Sequence, residues 1–272
     1  MLIHDVAAID LSKYKRLFVF GCSFTNYFWP TWADILRSEM PHATFYNYGV
    51  SGAGNMYIAI SIIEIAEKFE FNETDLIVPM WTTYFREDRY VKDKWIVPGN
   101  IFTQSHVYNE DFVKKFACPR GYVIRDLAMI TAMKHFLTLA KCDSIMLSSI
   151  LPDGQIPGID IEDVTKLYSN TLISMQKPLA EVLRPPNNPT AFPWPPTIKY
   201  NDVDNAKIHH DYHPDPSQYR FYMEKIGFSL TDKSMQLVDN YLLSLRQATP
   251  MFEPIILSNL RNLWINPVLR RL

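Results

Sequence analysis

A chain of 272 residues with 47% hydrophobic and 14% aromatic content can bury a large core, which excludes a disordered chain and suits one large domain or two small ones. Its 27 Lys and Arg against 29 Asp and Glu give a formal charge of -2, with no long basic run to neutralise a phosphate backbone, so nucleic acid is not an expected partner. No segment has the roughly eighteen uninterrupted apolar residues of a membrane span, residues 1–10 lack the pattern of a signal peptide, and Cys22, Cys118 and Cys142 fit neither a zinc ribbon nor a disulfide framework; a cytoplasmic protein that avoids membranes is expected.

The run Arg16-Leu17-Phe18-Val19-Phe20 ends at Gly21 and reads as a strand buried on both faces. A helix is expected over Trp32–Glu39 and a second strand over Ala43–Tyr48, again closed by a glycine, Gly49. Met56 to Phe69 places Ile58, Ile62, Ile65, Ala66 and Phe69 on one side at helical spacing. Asp75 to Trp81 is a third apolar strand, although Pro79 cannot donate to a ladder and points to an edge or a strand end.

Residues 89–121 show no clear period and read as a long loop excursion beside the strand ends. Tyr122–Ala140 is a helix and Ser144–Leu151 a fourth strand. Ile161–Leu183 reads as helical with a break at Pro178, and residues 184–196 hold six prolines in a stiff insertion. Pro216–Gly227, with proline in its first turn and glycine at its end, is a helix, as is Asp232–Gln247 within a helical C-terminal extension over about 229–272. Strand and helix in alternation, without repeats or a domain boundary, predict a single α/β domain over 1–272 with a doubly wound, mostly parallel sheet flanked by helices.

In such a sheet ligands bind beyond the carboxyl ends of the strands, so the residues just after each strand carry the information. These are Gly21-Cys22-Ser23 after the first, Asn47 to Asn55 after the second, Trp81 to Arg86 after the third, and His209 to Pro214 ahead of the helix at Pro216. Their order resembles the GDSL, or SGNH, hydrolase family, whose nucleophilic serine follows the first strand and whose Asp and His lie close together near the C-terminus. The resemblance implies a flavodoxin-like, three-layer α/β/α fold, with Ser23 as nucleophile and oxyanion donor, Gly52 as a second oxyanion donor, His213 as general base and Asp211 as its carboxylate. Gly49 and Gly54 are the rival glycines. This chain departs from the family at Cys22, where aspartate is usual, at Thr83, which falls where the family has a side-chain donor asparagine, and in placing Asp211 two residues before His213 rather than three.

The chemistry stands without the family name. A serine hydroxyl attacks an ester only when a base removes its proton, and the imidazole needs a carboxylate to fix its tautomer. Asn55, Trp81 and Arg86 are further candidate substrate contacts, Arg86 as a holder of carboxylate or phosphate. Tyr27, Trp29, Tyr84, Tyr90, Trp95 and Trp194 are aromatics that either line a pocket or pack. Cys22 should point into the core as a small hydrophobe. The histidine run has no second His-rich block to complete a metal site, so neither metal nor cofactor is expected. The expected function is a serine esterase cleaving a small acyl ester, such as an O-acetyl group on a carbohydrate; an acyltransferase using the same serine and a non-catalytic binding protein on the same fold are the alternatives.

Overall fold

The computed structural model describes residues 1–102, 107–150, 159–184, 198–202, 207–211 and 213–247, with backbone alone at 198–202, 207–211 and 244–247. The elements run β1 (Arg16–Gly21), α1 (Trp32–Glu39), β2 (Thr44–Gly49), α2 (Asn55–Phe69), β3 (Asp75–Trp81), β4 (Arg89–Val91), β5 (Lys94–Ile96), α3 (Glu110–Phe116), α4 (Pro119–Leu139), β6 (Asp143–Ser144) and β7 (Leu147–Ser148). They continue as α5 (Glu162–Leu167), α6 (Ser169–Ile173), α7 (Leu179–Leu183), β8 (Ile198–Asp202), β9 (Lys207–Asp211), α8 (Pro216–Lys225) and α9 (Asp232–Gln247). The expectations for 185–196 and for the last part of the C-terminal extension, 248–272, lie outside the described residues.

The main sheet is parallel in the order β2-β1-β3, with β6 and β7 both on the far side of β3. Side chains alternate along a strand, and here both sets are buried. Leu17 and Val19 pack with α1, α7, α8 and α9 on one face, while Phe18 and Phe20 pack with α2, α4 and α5 on the other. The result is the expected three-layer α/β/α arrangement. Fully burying each such Val, Leu, Ile or Phe contributes about 1.5–3 kcal/mol. Helix α1 shows why its boundaries were legible. Thr31 and Asp34 form a reciprocal capping box at its start, and Trp32, Ile35 and Leu36 are buried.

Chain order reverses at β1, from which one connection runs through α1 to β2 and the next returns through α2 to β3 on the other side. The carboxyl ends of β1 and β3 therefore open a crevice between diverging connections, where a doubly wound sheet binds its ligands.

Pro79 lies inside β3 rather than at an edge, in register with Phe20 of β1. Its neighbours Ile77 and Trp81 direct their carbonyls to the other side, accepting from the N–H groups of Ile145 and Ser149 at 3.0 and 2.8 Å. A donor at Pro79 would belong to the same edge, and there the expected fourth strand is interrupted: β6 ends at Ser144 and β7 begins at Leu147.

The excursion at 89–121 is more structured than a loop. β4 and β5 form an antiparallel hairpin turned at Lys92 and Asp93, whose φ angles of 49° and 61° place both in the left-handed region. Two consecutive left-handed residues match the twist of a two-residue hairpin, a place where Asn-Gly is the usual signal and where Asp93 is tolerated but Lys92 gives no sign. α3, capped by Asn109, and the start of α4 at Pro119 follow further along the excursion. The helical stretch expected over Ile161–Leu183 is three short helices, and the expected break at Pro178 is there, with Pro178 capping the start of α7.

Candidate active site

β1 delivers Ser23 into a tight reversal in which the N–H groups of Thr25 and Asn26 both donate to the carbonyl of Cys22. The turn folds back over the strand so closely that a Cβ on Gly21 would lie 2.0 Å from Thr25 Oγ1, which only glycine allows. Side chains then tie the turn to the end of β2. Asn26 donates to the carbonyl of Gly49 at 2.8 Å and Asn47 to the carbonyl of Thr25 at 3.0 Å. Ser23 is left buried but for 7% of its surface. Cys22 is fully buried, as expected, and its Sγ accepts from the Thr82 hydroxyl at 3.4 Å.

His213 reaches the same place from the far end of the chain. It follows β9 and precedes α8, whose first turn is fixed by Pro216 and by a capping box between Asp215 and Gln218. Its Nε2 stands 2.8 Å from Ser23 Oγ across 190 residues of sequence. The imidazole is held by rings: Tyr27 stacks on it at 3.7 Å and 17°, and Phe24 and Trp29 meet it edge-on. Trp29 Nε1 donates to the carbonyl of Pro214 at 2.7 Å and so fixes the backbone next to His213. Tyr27 and Trp29 thus pack against the imidazole. Asp211 ends β9, with its backbone two residues before His213.

The loop after β2 holds the three candidate glycines, and the structure separates them. The N–H of Gly49 donates to Asn47 Oδ1 and that of Gly54 to Asp88 Oδ1, both at 2.9 Å. Gly52 has φ +84°, and its carbonyl accepts from Gly99 at 3.1 Å; a Cβ there would lie 2.2 Å from the carbonyl oxygen of Val97. Its own N–H has no protein partner among the described residues.

Two further candidates serve as ties between the strand-end loops. Arg86 donates from Nη1 to the carbonyl of Ala53 at 2.8 Å and from Nε to Thr83 Oγ1 at 3.2 Å. Asn55, fully buried at the start of α2, accepts from the N–H of Thr82 at 2.9 Å and donates to its carbonyl at 3.1 Å. That amide also donates to Asp126 Oδ2 at 2.9 Å, so Asn55 is occupied within the protein rather than turned to a substrate. Trp81 is a correction: 1% exposed, it packs among Phe20, Ile58 and Leu127, because its position in β3 faces the α2 and α4 layer.

Sequence reasoning missed two buried carboxylates. Asp88 accepts from the N–H groups of Gly54 and Tyr57 at 2.9 Å each, capping α2 from a loop far away in sequence. Burial raises its pKa. Asp126, on α4, is fully buried between Asn55 and Arg125, and burial pushes its carboxyl up to about 7 against the opposing pull of Arg125. Neither carries a local signal, since each partner but Arg125 lies more than thirty residues away.

No protein-family model matches the chain, and neither does any curated protein sequence. Solved structures similar to it include a member of the lipolytic G-D-S-L family from Veillonella parvula, with 18% identity over 77% of this chain and 94% of that one and a TM-score of 0.43. A GDSL-like lipase from Bacteroides thetaiotaomicron shows 15% identity over 81% and 92% (TM-score 0.39). An acetylxylan esterase from Geobacillus stearothermophilus shows 15% over 81% and 98% (TM-score 0.39).

Proposed function

We propose that this chain is a serine esterase that removes a small acyl group, an O-acetyl in particular, from a carbohydrate or similar polar alcohol. The observation that carries the reading is the 2.8 Å approach of His213 Nε2 to Ser23 Oγ at the switch point of the sheet. His213 takes the hydroxyl proton as Ser23 Oγ attacks the ester carbonyl, then returns it to the leaving alcohol as the tetrahedral intermediate collapses to the acyl-enzyme. Water, deprotonated by the same imidazole, releases the acid and frees Ser23.

The developing oxyanion is assigned to the N–H groups of Ser23 and Gly52 and the hydroxyl of Thr83, donors that contribute on the order of 3–4 kcal/mol each when fixed in place. Thr83 suits the task because its oxygen already accepts from Arg86, which leaves its single hydrogen to point elsewhere. Asp211 is assigned the carboxylate that orients the imidazole, on the ground that its backbone ends β9 just before His213.

Active-site labelling with a fluorophosphonate, followed by peptide mapping, tests the reading. The label is expected on the Ser23 peptide alone, with both labelling and p-nitrophenyl acetate hydrolysis lost in Ser23→Ala by about 10⁴-fold or more. A folded wild-type protein that takes no label overturns it.

A further inference from the structure

The segment after β3, α3 and the first turns of α4 line an open cavity of about 540 Å³ whose lining includes Glu87, Arg89, Phe112, Phe116, Gly121 and Arg125. None of the residues assigned to the reaction borders it. Chain connectivity limits how far from them it can lie. Thr82 touches Cys22, the neighbour of Ser23, and the four-residue step from Thr83 to Glu87 spans at most about 14 Å.

We propose that this cavity is a saccharide subsite, holding the uncharged, polyhydroxyl part of the substrate while its ester reaches Ser23; the second half of the statement rests on the esterase reading above. The volume falls within the usual range of small-molecule sites, about 300–1,000 Å³. Its charges are locked together. Glu87 Oε1 accepts from Arg89 at 2.9–3.1 Å, and Oε2 accepts from the Tyr122 hydroxyl at 2.8 Å and from Arg125 at 3.2 Å. A charged ligand of either sign therefore meets a repelling group beside an attracting one. A sugar hydroxyl, which donates and accepts at once, matches donors and acceptors set side by side. Phe116, 60% exposed against Phe112, offers an apolar plane for the C–H face of a pyranose ring. Gly121 lines the wall, and the space about its missing Cβ is open except toward Cys118.

Gly121 also supplies the test. A Cβ there meets only Cys118 Cβ and Sγ, at 3.4 and 3.7 Å, ordinary contact distances, and leucine favours a helix over glycine, so Gly121→Leu is the variant chosen to fill the space. Cellobiose, maltose and xylobiose, which carry no ester, are titrated calorimetrically into the wild type, Gly121→Leu and Arg89→Ala. At least one disaccharide should bind the wild type, with affinity reduced tenfold or more in both variants and the melting temperature of Gly121→Leu no lower than wild type. The ratio of kcat/KM for the acetylated form of that disaccharide to kcat/KM for p-nitrophenyl acetate should fall at least tenfold in the same variants. Absence of binding to the wild type, or equal binding to Gly121→Leu, overturns the subsite. Intact disaccharide binding by a protein whose Ser23 takes no fluorophosphonate overturns the esterase and leaves the sugar site standing.

Discussion

Replacing Asp126 by asparagine should remove a pH dependence of stability that the fold imposes on itself. The carboxyl is fully buried, and its pKa stands near 7 instead of 3.8 because burial opposes the charged form more than Arg125 and Asn55 favour it. An acid whose pKa is raised by folding binds its proton more tightly in the folded state. The folded protein is therefore most favoured below about pH 4, and that advantage drains away as pH rises through about 7. At roughly 1.4 kcal/mol per decade, the interval corresponds to about 4 kcal/mol, an order-of-magnitude figure. The substituted asparagine cannot titrate. It also turns an amide toward the amide of Asn55, so the variant starts with an offset of about 1–3 kcal/mol from a spoiled hydrogen bond. The informative quantity is thus the slope. Urea unfolding of both proteins from pH 4 to pH 8 should show wild-type stability falling relative to the variant by about 3–4 kcal/mol, mostly between pH 4 and 7. A difference between the two that stays constant within about 1 kcal/mol across that range would refute the argument, because it would mean that Asp126 holds the same charge folded and unfolded.

Gly52→Ala forces a non-glycine residue to φ +84° and drives its Cβ toward the Val97 carbonyl; destabilisation of about 2–4 kcal/mol in urea and a fluorophosphonate labelling rate down about 10²-fold are expected. Trp29→Phe removes the indole donor from the buried Pro214 carbonyl. It should cost about 1–3 kcal/mol in thermal unfolding and lower kcat more than it raises KM, because it loosens the imidazole rather than the substrate. Asp88→Ala strands the N–H groups of Gly54 and Tyr57 at the buried start of α2 and should cost about 2–4 kcal/mol in urea unfolding.

Features set by short-range physics were legible in the sequence. β1 and β3 are runs of apolar residues with glycine or polar punctuation, α1 carries its own capping box, and α9 occupies the predicted Asp232–Gln247. Ser23 and His213 were legible for a related reason: each sits at a junction that the local pattern marks, a strand end and the approach to a proline-started helix. Trp81 was misjudged because a strand end does not reveal which face its last side chain takes until the register with β1 is known. The hairpin at Lys92 and Asp93 was missed because Lys92 gives no sign of a left-handed conformation, and Asp93, which tolerates one, has no glycine or asparagine beside it. The break between β6 and β7 follows from Pro79, whose effect falls on a partner strand more than sixty residues away.

The polar ties around the strand ends escaped for a deeper reason. Asn26 and Asn47 hold the Ser23 turn to β2, while Asp88, Arg86 and Asn55 hold the Gly52 loop to the segment after β3. Each joins loops that are adjacent only because the sheet places β1 between β2 and β3, so no window of sequence contains both partners. Such ties are what the proposed reaction would require: loops beyond a sheet are its least constrained backbone, whereas attack on a carbonyl tolerates errors of well under about 1 Å. Burying a carboxyl such as Asp126 to complete one tie costs stability at neutral pH, and a fold that kept such a group for packing alone would do better with leucine. The carboxyl makes sense where position matters more than stability, and it stands directly behind the amide that sets Thr82 and, through it, Thr83.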